Sequence, residues 1–385
     1  HWELSFRKRK PSEHYEGESF GVPFTFDSKR DSDTIGVTPR YILEKTIWGK
    51  RNKFITGLDY YLTGLELESD YFSSGYQTMD SIDFKRRSWG IYANDEISIH
   101  KNFVLTMGIR HEGCKYEFDS TNTDITFGTV SSTRDEIREG ENAYNAGLTF
   151  LYREKSSIFT RYSRSFRFPL ADEYFVFYPP PGGINRELRA QTGDNYEIGV
   201  THYFTPDIDL GLTLFLMNLD DEIFFNPFTY ANENYDKTRH QGIELSFHAK
   251  IFEGLDIDAN YSFTSSKFRG GEFDGNVIPA VPRHKGSIGI LFTLIPNLVL
   301  NVSGSYVGKS YLISDQQNQF PKLDDYTTVD ARLSNTWKGL TAFIAGNNLL
   351  NKEYSAYGVV YGGESYFYPS PERNFIGGFS YIYQM

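Results

Sequence analysis

The chain has 385 residues, 39% of them hydrophobic, and a formal net charge of −11. Its single cysteine, Cys114, excludes an internal disulfide framework and a Cys-rich metal site; an acidic balance with no basic run beyond Arg7-Lys8-Arg9-Lys10 speaks against a nucleic-acid partner. No stretch approaches the ~20 apolar residues of a membrane helix, while an aromatic share of 17% beside 34 Gly favours strands.

A prior of about 150 residues per domain suggests two or three domains, yet one large barrel also absorbs this length. The first residue is His1 and no basic-then-apolar signal segment follows, so the chain is expected to be a processed product or part of something longer. In chain order, about sixteen strands are expected, starting near positions 2, 39, 52, 87, 102, 142, 157, 194, 207, 238, 254, 284, 297, 325, 340 and 372. Short joins fall at Gly49–Arg51, His100–Lys101, Arg153–Ser156, Thr205–Pro206, Phe252–Glu253, Ile295–Pro296 and Lys338–Gly339. Between them lie long polar stretches at 11–38, 111–141, 165–193, 219–237, 264–283, 308–324 and 351–371, read as loops. Structureless loops beyond about 15 residues count against a compact soluble domain. Short turns alternating with long loops instead describe an outer-membrane barrel, turns in the periplasm and loops outside.

Period-two alternation supports the same architecture. Ile208, Leu210, Leu212, Leu214 and Leu216 alternate with Asp209, Gly211, Thr213 and Phe215. Ile243, Leu245, Phe247, Ala249 and Ile251 alternate with Glu244, Ser246, His248 and Lys250. Leu255, Ile257, Ala259, Tyr261 and Phe263, and then Val329, Ala331 and Leu333, repeat the pattern. Runs of this length suit a tilted bilayer crossing, with the apolar set toward lipid and the polar set toward a wet lumen. Trp48, Trp89, Tyr144, Tyr203 and Trp337 sit near strand ends, where interfacial girdles lie. The fold class expected is all-β: a transmembrane antiparallel up-and-down β-barrel, occupying residues 1–385 as one partial barrel domain.

Several stretches in order then resemble the barrel of TonB-dependent outer-membrane receptors. Arg161-Tyr162-Ser163-Arg164-Ser165-Phe166-Arg167-Phe168-Pro169-Leu170 with Asp172-Glu173 is similar to the family's strand-exit motif. Asn195-Tyr196-Glu197-Ile198-Gly199, Leu214–Asn218 and Asp221-Glu222-Ile223 resemble the strand pair after it. Thr238-Arg239-His240-Gln241-Gly242-Ile243-Glu244-Leu245 resembles an RxxGxE strand, and Val281-Pro282-Arg283-His284-Lys285 a strand entry. Asp325-Tyr326-Thr327-Thr328-Val329-Asp330-Ala331, Gly346-Asn347-Asn348-Leu349-Leu350-Asn351-Lys352-Glu353-Tyr354 and Pro371-Glu372-Arg373-Asn374-Phe375 resemble the family's last segments. The likeness runs from about position 85 to 385. It implies a barrel of about 22 strands around an N-terminal plug, so the chain is expected to lack the plug and the first strands. The alternating row Phe375, Phe379, Tyr381, Tyr383 ends on Met385, where the resemblance leads one to expect an aromatic.

The resemblance also implies a function: energy-coupled uptake of a scarce ligand such as a ferric siderophore. The implied partners are the TonB-ExbB-ExbD complex acting through a plug absent from this chain, outer-membrane lipid and lipopolysaccharide, and a second polypeptide if the plug is supplied that way. Candidate ligand contacts are Tyr174, Phe177, Tyr178, Arg186 and Arg189 in one aromatic and basic loop, Phe228 and Tyr230 in a second cluster with Phe224 and Phe225, and Tyr361 and Tyr366 in a third with Tyr357, Phe367 and Tyr368. Aromatic faces beside guanidinium groups suit an anionic or aromatic metal chelate; packing between loops is the competing role. No cofactor or metal is assigned: the His residues lack zinc-ligand spacing, His111-Glu112 near Cys114 is a weak soft-metal candidate, and Asp31-Ser32-Asp33 and 119–124 read as solvated acidic loops rather than Ca²⁺ sites. No hydrolase or nucleotide motif is present, and Ser246 and His248 on one strand carry no recognisable catalytic pattern. A passive sixteen-stranded porin is the alternative that strand number alone would fit.

Overall fold

The computed structural model describes residues 2–19, 21–176, 183–226, 229 and 231–382. In chain order the strands are β1 (Leu4–Arg9), β2 (Ser12–Ser19), β3 (Val22–Val37), β4 (Arg40–Ile47), β5 (Lys50–Ser73), β6 (Tyr76–His100), β7 (Phe103–Asp124), β8 (Thr129–Leu151) and β9 (Ser157–Arg167). There follow β10 (Phe175–Val176), β11 (Gly183–Ile184), β12 (Gln191–Thr205), β13 (Ile208–Asn226), β14 (Ala231–Phe252), β15 (Leu255–Phe268), β16 (His284–Ile295) and β17 (Leu298–Val307). The last five are β18 (Tyr326–Trp337), β19 (Leu340–Asn347), β20 (Ser355–Tyr361), β21 (Glu364–Pro369) and β22 (Asn374–Tyr381).

Among the described residues, eighteen strands belong to the long sheet, against about sixteen expected from sequence. The difference has a simple cause. β1 and β2 both pair with β3, and β3 and β4 both pair with β5. The chain is interrupted at Pro11 and Pro39, each lacking the N–H a ladder needs, so two passes are each counted twice. All seven short joins fall between the strands where they were expected. At Trp48-Gly49 and Lys338-Gly339 both residues have positive φ (50° and 76°; 47° and 83°), the backbone of a two-residue hairpin turn that matches strand twist.

The stretches 11–38 and 111–141 are not loops. They are hairpins, β2–β3 and the outer halves of β7–β8. The 25 residues of β6 would reach about 85 Å at ~3.4 Å per residue, whereas about ten residues cross a bilayer. Beyond lipid a strand needs no apolar row, so alternation fades from the sequence while the ladder continues. The stretch 351–371 likewise contains the β20–β21 hairpin, and 219–237 is mostly strand.

The chain divides into two compact units. The first comprises His1–Ala146, Ser163–Gly193 and Asp220–Tyr235. Its register joins β3, β5, β6 and β7 into cross-strand rows such as Ser28–Ser69–Asp80–Asn122 and Arg30–Leu67–Ile82–Ser120. Directly opposed residues share a face. One face therefore carries Ile82, Phe84, Tyr116 and Phe118, all buried, and the other carries Trp89, Ile91, Met107 and Ile109, all exposed. Exposed apolar rows of this kind are costly in water and favourable against lipid.

The second unit comprises Gly147–Tyr162, Asp194–Leu219 and Asp236–Met385. Here the alternating segments align. Ile257–Ile290–Val302–Ala331–Gly346–Phe375 is one row, and Ser246–Asn260–Ser287–Ser305–Thr328 another on the opposite face. The apolar sets of β14, β15 and β18 thus lie on a single face, as their period-two pattern predicts. Tyr383 and Met385 lie outside the described residues.

Candidate ligand-binding site

The segment after β9 folds over the buried face of the first unit. Tyr174 is fully buried, its ring 5.0 Å from Tyr116 and 5.5 Å from Phe118, centroid to centroid. Phe168, Phe175, Leu188 and Ala190 join the same apolar cluster with Leu67, Ile82 and Phe84. Three polar ties fix the segment. The Tyr116 hydroxyl donates to the Pro169 carbonyl at 2.9 Å. The Glu173 carboxylate accepts from Arg167 Nη1 at 2.9 Å and from the Leu170 N–H at 2.7 Å. Burial pushes the Tyr116 and Tyr174 phenols well above the usual range, so both stay protonated.

Where this segment meets the strand wall, a cavity of about 700 Å³ remains. Its wall is built from three cross-strand rows: Phe26–Tyr71–Thr78, Ser28–Ser69–Asp80–Asn122 and Arg30–Leu67–Ile82–Ser120. Tyr76 adds another ring, and Phe175 and Val176 close it from the loop side. Asn122 Nδ2 donates to Asp80 Oδ1 at 2.6 Å, holding that carboxylate against the wall. The volume is that of small-molecule sites, with apolar and aromatic lining and a few polar groups.

The sequence candidates distribute unevenly. Tyr174 packs inside the apolar cluster rather than on the cavity surface. Arg186 pairs with Asp135 at 3.1 Å. Arg189 grips Asp221, with Nε 3.0 Å from Oδ1, and takes the Asn234 Oδ1 on its backbone N–H at 2.9 Å. Phe177, Tyr178, Phe228 and Tyr230 lie outside the described residues. Phe224 stacks on Tyr235 at 3.7 Å, and Phe225 is exposed. In the second unit, Tyr366 stands opposite Val359 and Tyr361 opposite Glu364 on the β20–β21 hairpin, both exposed. Tyr357 and Tyr368 face each other there, edge to face, at 4.9 Å. His111 lies on the opposite strand face from Glu112 and Cys114, bonding Asn142 at 2.9 Å, which separates the three suggested metal ligands. Cys114 instead accepts the Arg86 Nε–H at 3.0 Å. Asp31 pairs with Lys8 and Lys10, and Asp119 with Arg134. His248 Nδ1 lies 2.9 Å from Asp258 Oδ1.

Phe26, Arg30, Tyr71, Tyr76, Asp80 and Asn122 were missed at the sequence level. Phe26, Arg30 and Asn122 fall in strand extensions taken for loop, and Tyr71, Tyr76 and Asp80 in the outer parts of β5 and β6. The signal was present in the alternation Thr78, Asp80, Ile82, Phe84, Arg86 against Met79, Ser81, Asp83, Lys85, which is a period-two face with polar members.

A family model described as "TonB dependent receptor-like, beta-barrel" matches residues 2–349. An uncharacterized TonB-dependent receptor of Haemophilus influenzae is 23% identical over 287 residues, covering 70% of this chain and 78% of the relative. The probable TonB-dependent siderophore receptor PiuA of Acinetobacter baumannii is 25% identical over 303 residues, 74% of this chain but 39% of PiuA. In structure, the ferric yersiniabactin uptake receptor FyuA from Yersinia pestis is similar with a TM-score of 0.79 at 18% identity, over 98% of this chain and 58% of FyuA. The chain therefore spans only part of the length of the latter two proteins. The likeness shows the fold, an antiparallel β-barrel of the outer-membrane receptor kind.

Proposed function

The chain belongs to the TonB-dependent receptor-like β-barrel family, whose barrels are outer-membrane proteins, and from that premise we propose that it serves energy-coupled uptake of a scarce metal chelate. The family match across residues 2–349 carries this reading. The cavity of about 700 Å³ against β3, β5, β6 and β7 supports it, because it offers rings, hydroxyls and a guanidinium on the polar strand face. Arg186, Arg189, Tyr361 and Tyr366, with Phe177, Tyr178, Phe228 and Tyr230, are proposed as outer contacts, while Tyr174 acts by seating its loop. The short turns face the periplasm and the tall hairpins face outward, among lipopolysaccharide. Coupling runs through TonB with ExbB and ExbD, by way of a plug supplied outside residues 1–385, either by the same protein or by a second polypeptide. The passive-pore alternative rested on strand number alone, and family membership weighs against it.

The test is uptake of a radiolabelled ferric chelate by iron-starved cells whose only receptor is the full-length protein. Accumulation that stops when TonB is deleted is expected. A large constitutive conductance of the purified protein in planar bilayers, or uptake indifferent to TonB, would sink the proposal.

A further inference from the structure

We infer that the β4–β5 turn docks on anionic phospholipid of the turn-side leaflet, with Trp48 entering the interface and Lys45 and Lys50 holding headgroup phosphates. This goes beyond the uptake reading and does not depend on it. Trp48 is 94% exposed and has φ 50°. In a two-residue hairpin turn that position favours Asn, Asp or Gly, because a bulky side chain in the left-handed region crowds its own backbone. A strained residue with its indole wholly uncovered gains nothing from packing within the chain, and an outlier of this kind points to a function outside it. The surroundings say what covers it. Ile47 opposes Lys50 and Lys45 opposes Asn52, on the strand face of Leu58 and Tyr60. Those two oppose Ile91 and Trp89 in the exposed apolar row. Trp48 therefore tips a surface continuous with the lipid-facing one.

Charge then selects the lipid. Lys45 and Lys50 make no ion pair among the described residues, in a chain with 50 acidic residues against 39 basic. On their face the carboxylate nearest the turn is Asp95, which opposes Phe54 and accepts a hydrogen bond from Asn52 Nδ2. Glu44 and Glu96 lie on the other face, both opposite Lys53, which pairs with Glu44 at 3.2 Å. Arg51 leaves from that face as well, opposite Thr46. A lysine stem lies along apolar surface while its ammonium reaches the headgroups, so a phosphate there supplies the anion that the chain does not. The second unit repeats the combination at two short turns. Lys338, with φ 47°, holds its Nζ 5.0 Å from the Trp337 ring, and Lys155 Nζ lies 5.5 Å from the Tyr203 ring. An ammonium on a ring face keeps N–H donors for a phosphate. A purely zwitterionic surface would use the rings and leave the net positive charge unmatched.

The full-length protein is reconstituted in phosphatidylcholine vesicles containing graded amounts of brominated phosphatidylglycerol or brominated phosphatidylcholine, and tryptophan quenching is recorded. The difference between wild type and Trp48→Phe isolates the signal of Trp48. Half-quenching of that signal is expected at about fivefold less anionic than zwitterionic quencher at low salt, with the gap closing as ionic strength rises. The K45Q/K50Q variant is expected to lose the gap and K45R/K50R to keep it, both retaining the heat-modifiable gel mobility of a folded barrel. Equal quenching by the two lipids in wild type makes Trp48 an ordinary interfacial ring and overturns the inference. Quenching by neither lipid places the turn in water and overturns it too, and an unchanged gap in K45Q/K50Q removes the two lysines. None of these outcomes touches TonB-dependent uptake, which is measured separately.

Discussion

The Tyr116 hydroxyl donates to the Pro169 carbonyl at 2.9 Å, joining the outer part of β7 to the segment that follows β9. Pro169 lies past the end of β9, outside any ladder, so a side chain from the wall supplies the donor its carbonyl needs. The bond is buried, and its loss leaves an acceptor unmatched. Tyr116→Phe is expected to weaken seating of residues 168–176 by about 1–3 kcal/mol. Hydrogen exchange of that segment should rise while exchange in β5 and β6 stays unchanged. An unaltered exchange profile would mean that packing alone holds the loop.

Tyr174 offers the opposite case. Its ring is enclosed by Tyr116 and Phe118, yet its hydroxyl makes no well-formed hydrogen bond among the described residues, the Glu139 carboxyl being the polar group that acts on it most strongly. Removing an unmatched buried hydroxyl relieves a desolvation cost. Tyr174→Phe is therefore expected to be neutral or slightly stabilising and to leave chelate binding intact, whereas Tyr174→Ala should cost about 3–5 kcal/mol in loop seating. Loss of binding in the Phe variant, measured by fluorescence titration, would return Tyr174 to the role of direct ligand contact.

Gly242, within the RxxGxE-like stretch, is a matter of clearance. A Cβ placed there would lie 2.0 Å from the Phe263 carbonyl oxygen and 2.9 Å from the Phe215 ring. Gly242 opposes Thr264 in the β14–β15 ladder, so neither backbone can retreat without breaking pairs on both sides. Gly242→Ala should lower the unfolding temperature and raise exchange at 238–246 and 260–268, at a cost of about 1–3 kcal/mol typical of forced overpacking. An unchanged melting profile would show that the two strands have more freedom than their register implies.

The membrane-level parts of these strands are readable from sequence because lipid demands an apolar row on one face, and period two exposes it. Leu245, Tyr261 and Gly286, or Phe247, Ala259 and Ile288, align across strands as their alternation requires. The outer extensions obey no such demand. In β3, Phe24, Phe26 and Ser28 share a face with Arg30, and the opposite face holds Thr25, Asp27 and Lys29. A stripe so mixed reads as loop, and the cavity lies on that stripe. Proline breaks add the remaining confusion, by splitting one pass into β1 and β2 and another into β3 and β4.

Asn318 locks two loops of the second unit. Its Nδ2 donates to the Val277 carbonyl at 2.8 Å, and its Oδ1 accepts the Val277 N–H at 2.7 Å. The residue has φ 60°, a left-handed conformation that Asn tolerates better than most. Asn318→Ala removes these bonds, together with the one Nδ2 donates to the Asp315 carbonyl at 3.1 Å, and keeps the strained backbone, so it should cost about 1–3 kcal/mol per unmatched buried group. Asn318→Gly relieves the backbone but not the bonds and should fall between. Faster proteolysis of 270–283 in the order Ala, Gly, wild type is the expected result, and equal rates would show that the pairing is incidental.

His14 sets a pH dependence on the β2–β3 hairpin. Its Nδ1 lies 2.7 Å from Asp27 Oδ1, and its Nε2 3.3 Å from Glu16 Oε1. The hydrogen bond to Asp27, then that to Glu16, raises the imidazole above its ordinary value of 6.5. A group whose folded pKa is raised contributes stability below its unfolded pKa, and loses it as pH climbs through the folded one. The hairpin should therefore be firmer at about pH 6 than once the pH has climbed through the raised value. The pair is solvent-exposed and screened by salt, so the effect should shrink as ionic strength rises. Hydrogen exchange of 12–29, corrected for intrinsic rates, should quicken between these pH values in wild type and show no such step in His14→Gln. A step of the same size in the variant would assign the dependence to another group and remove His14 from the account.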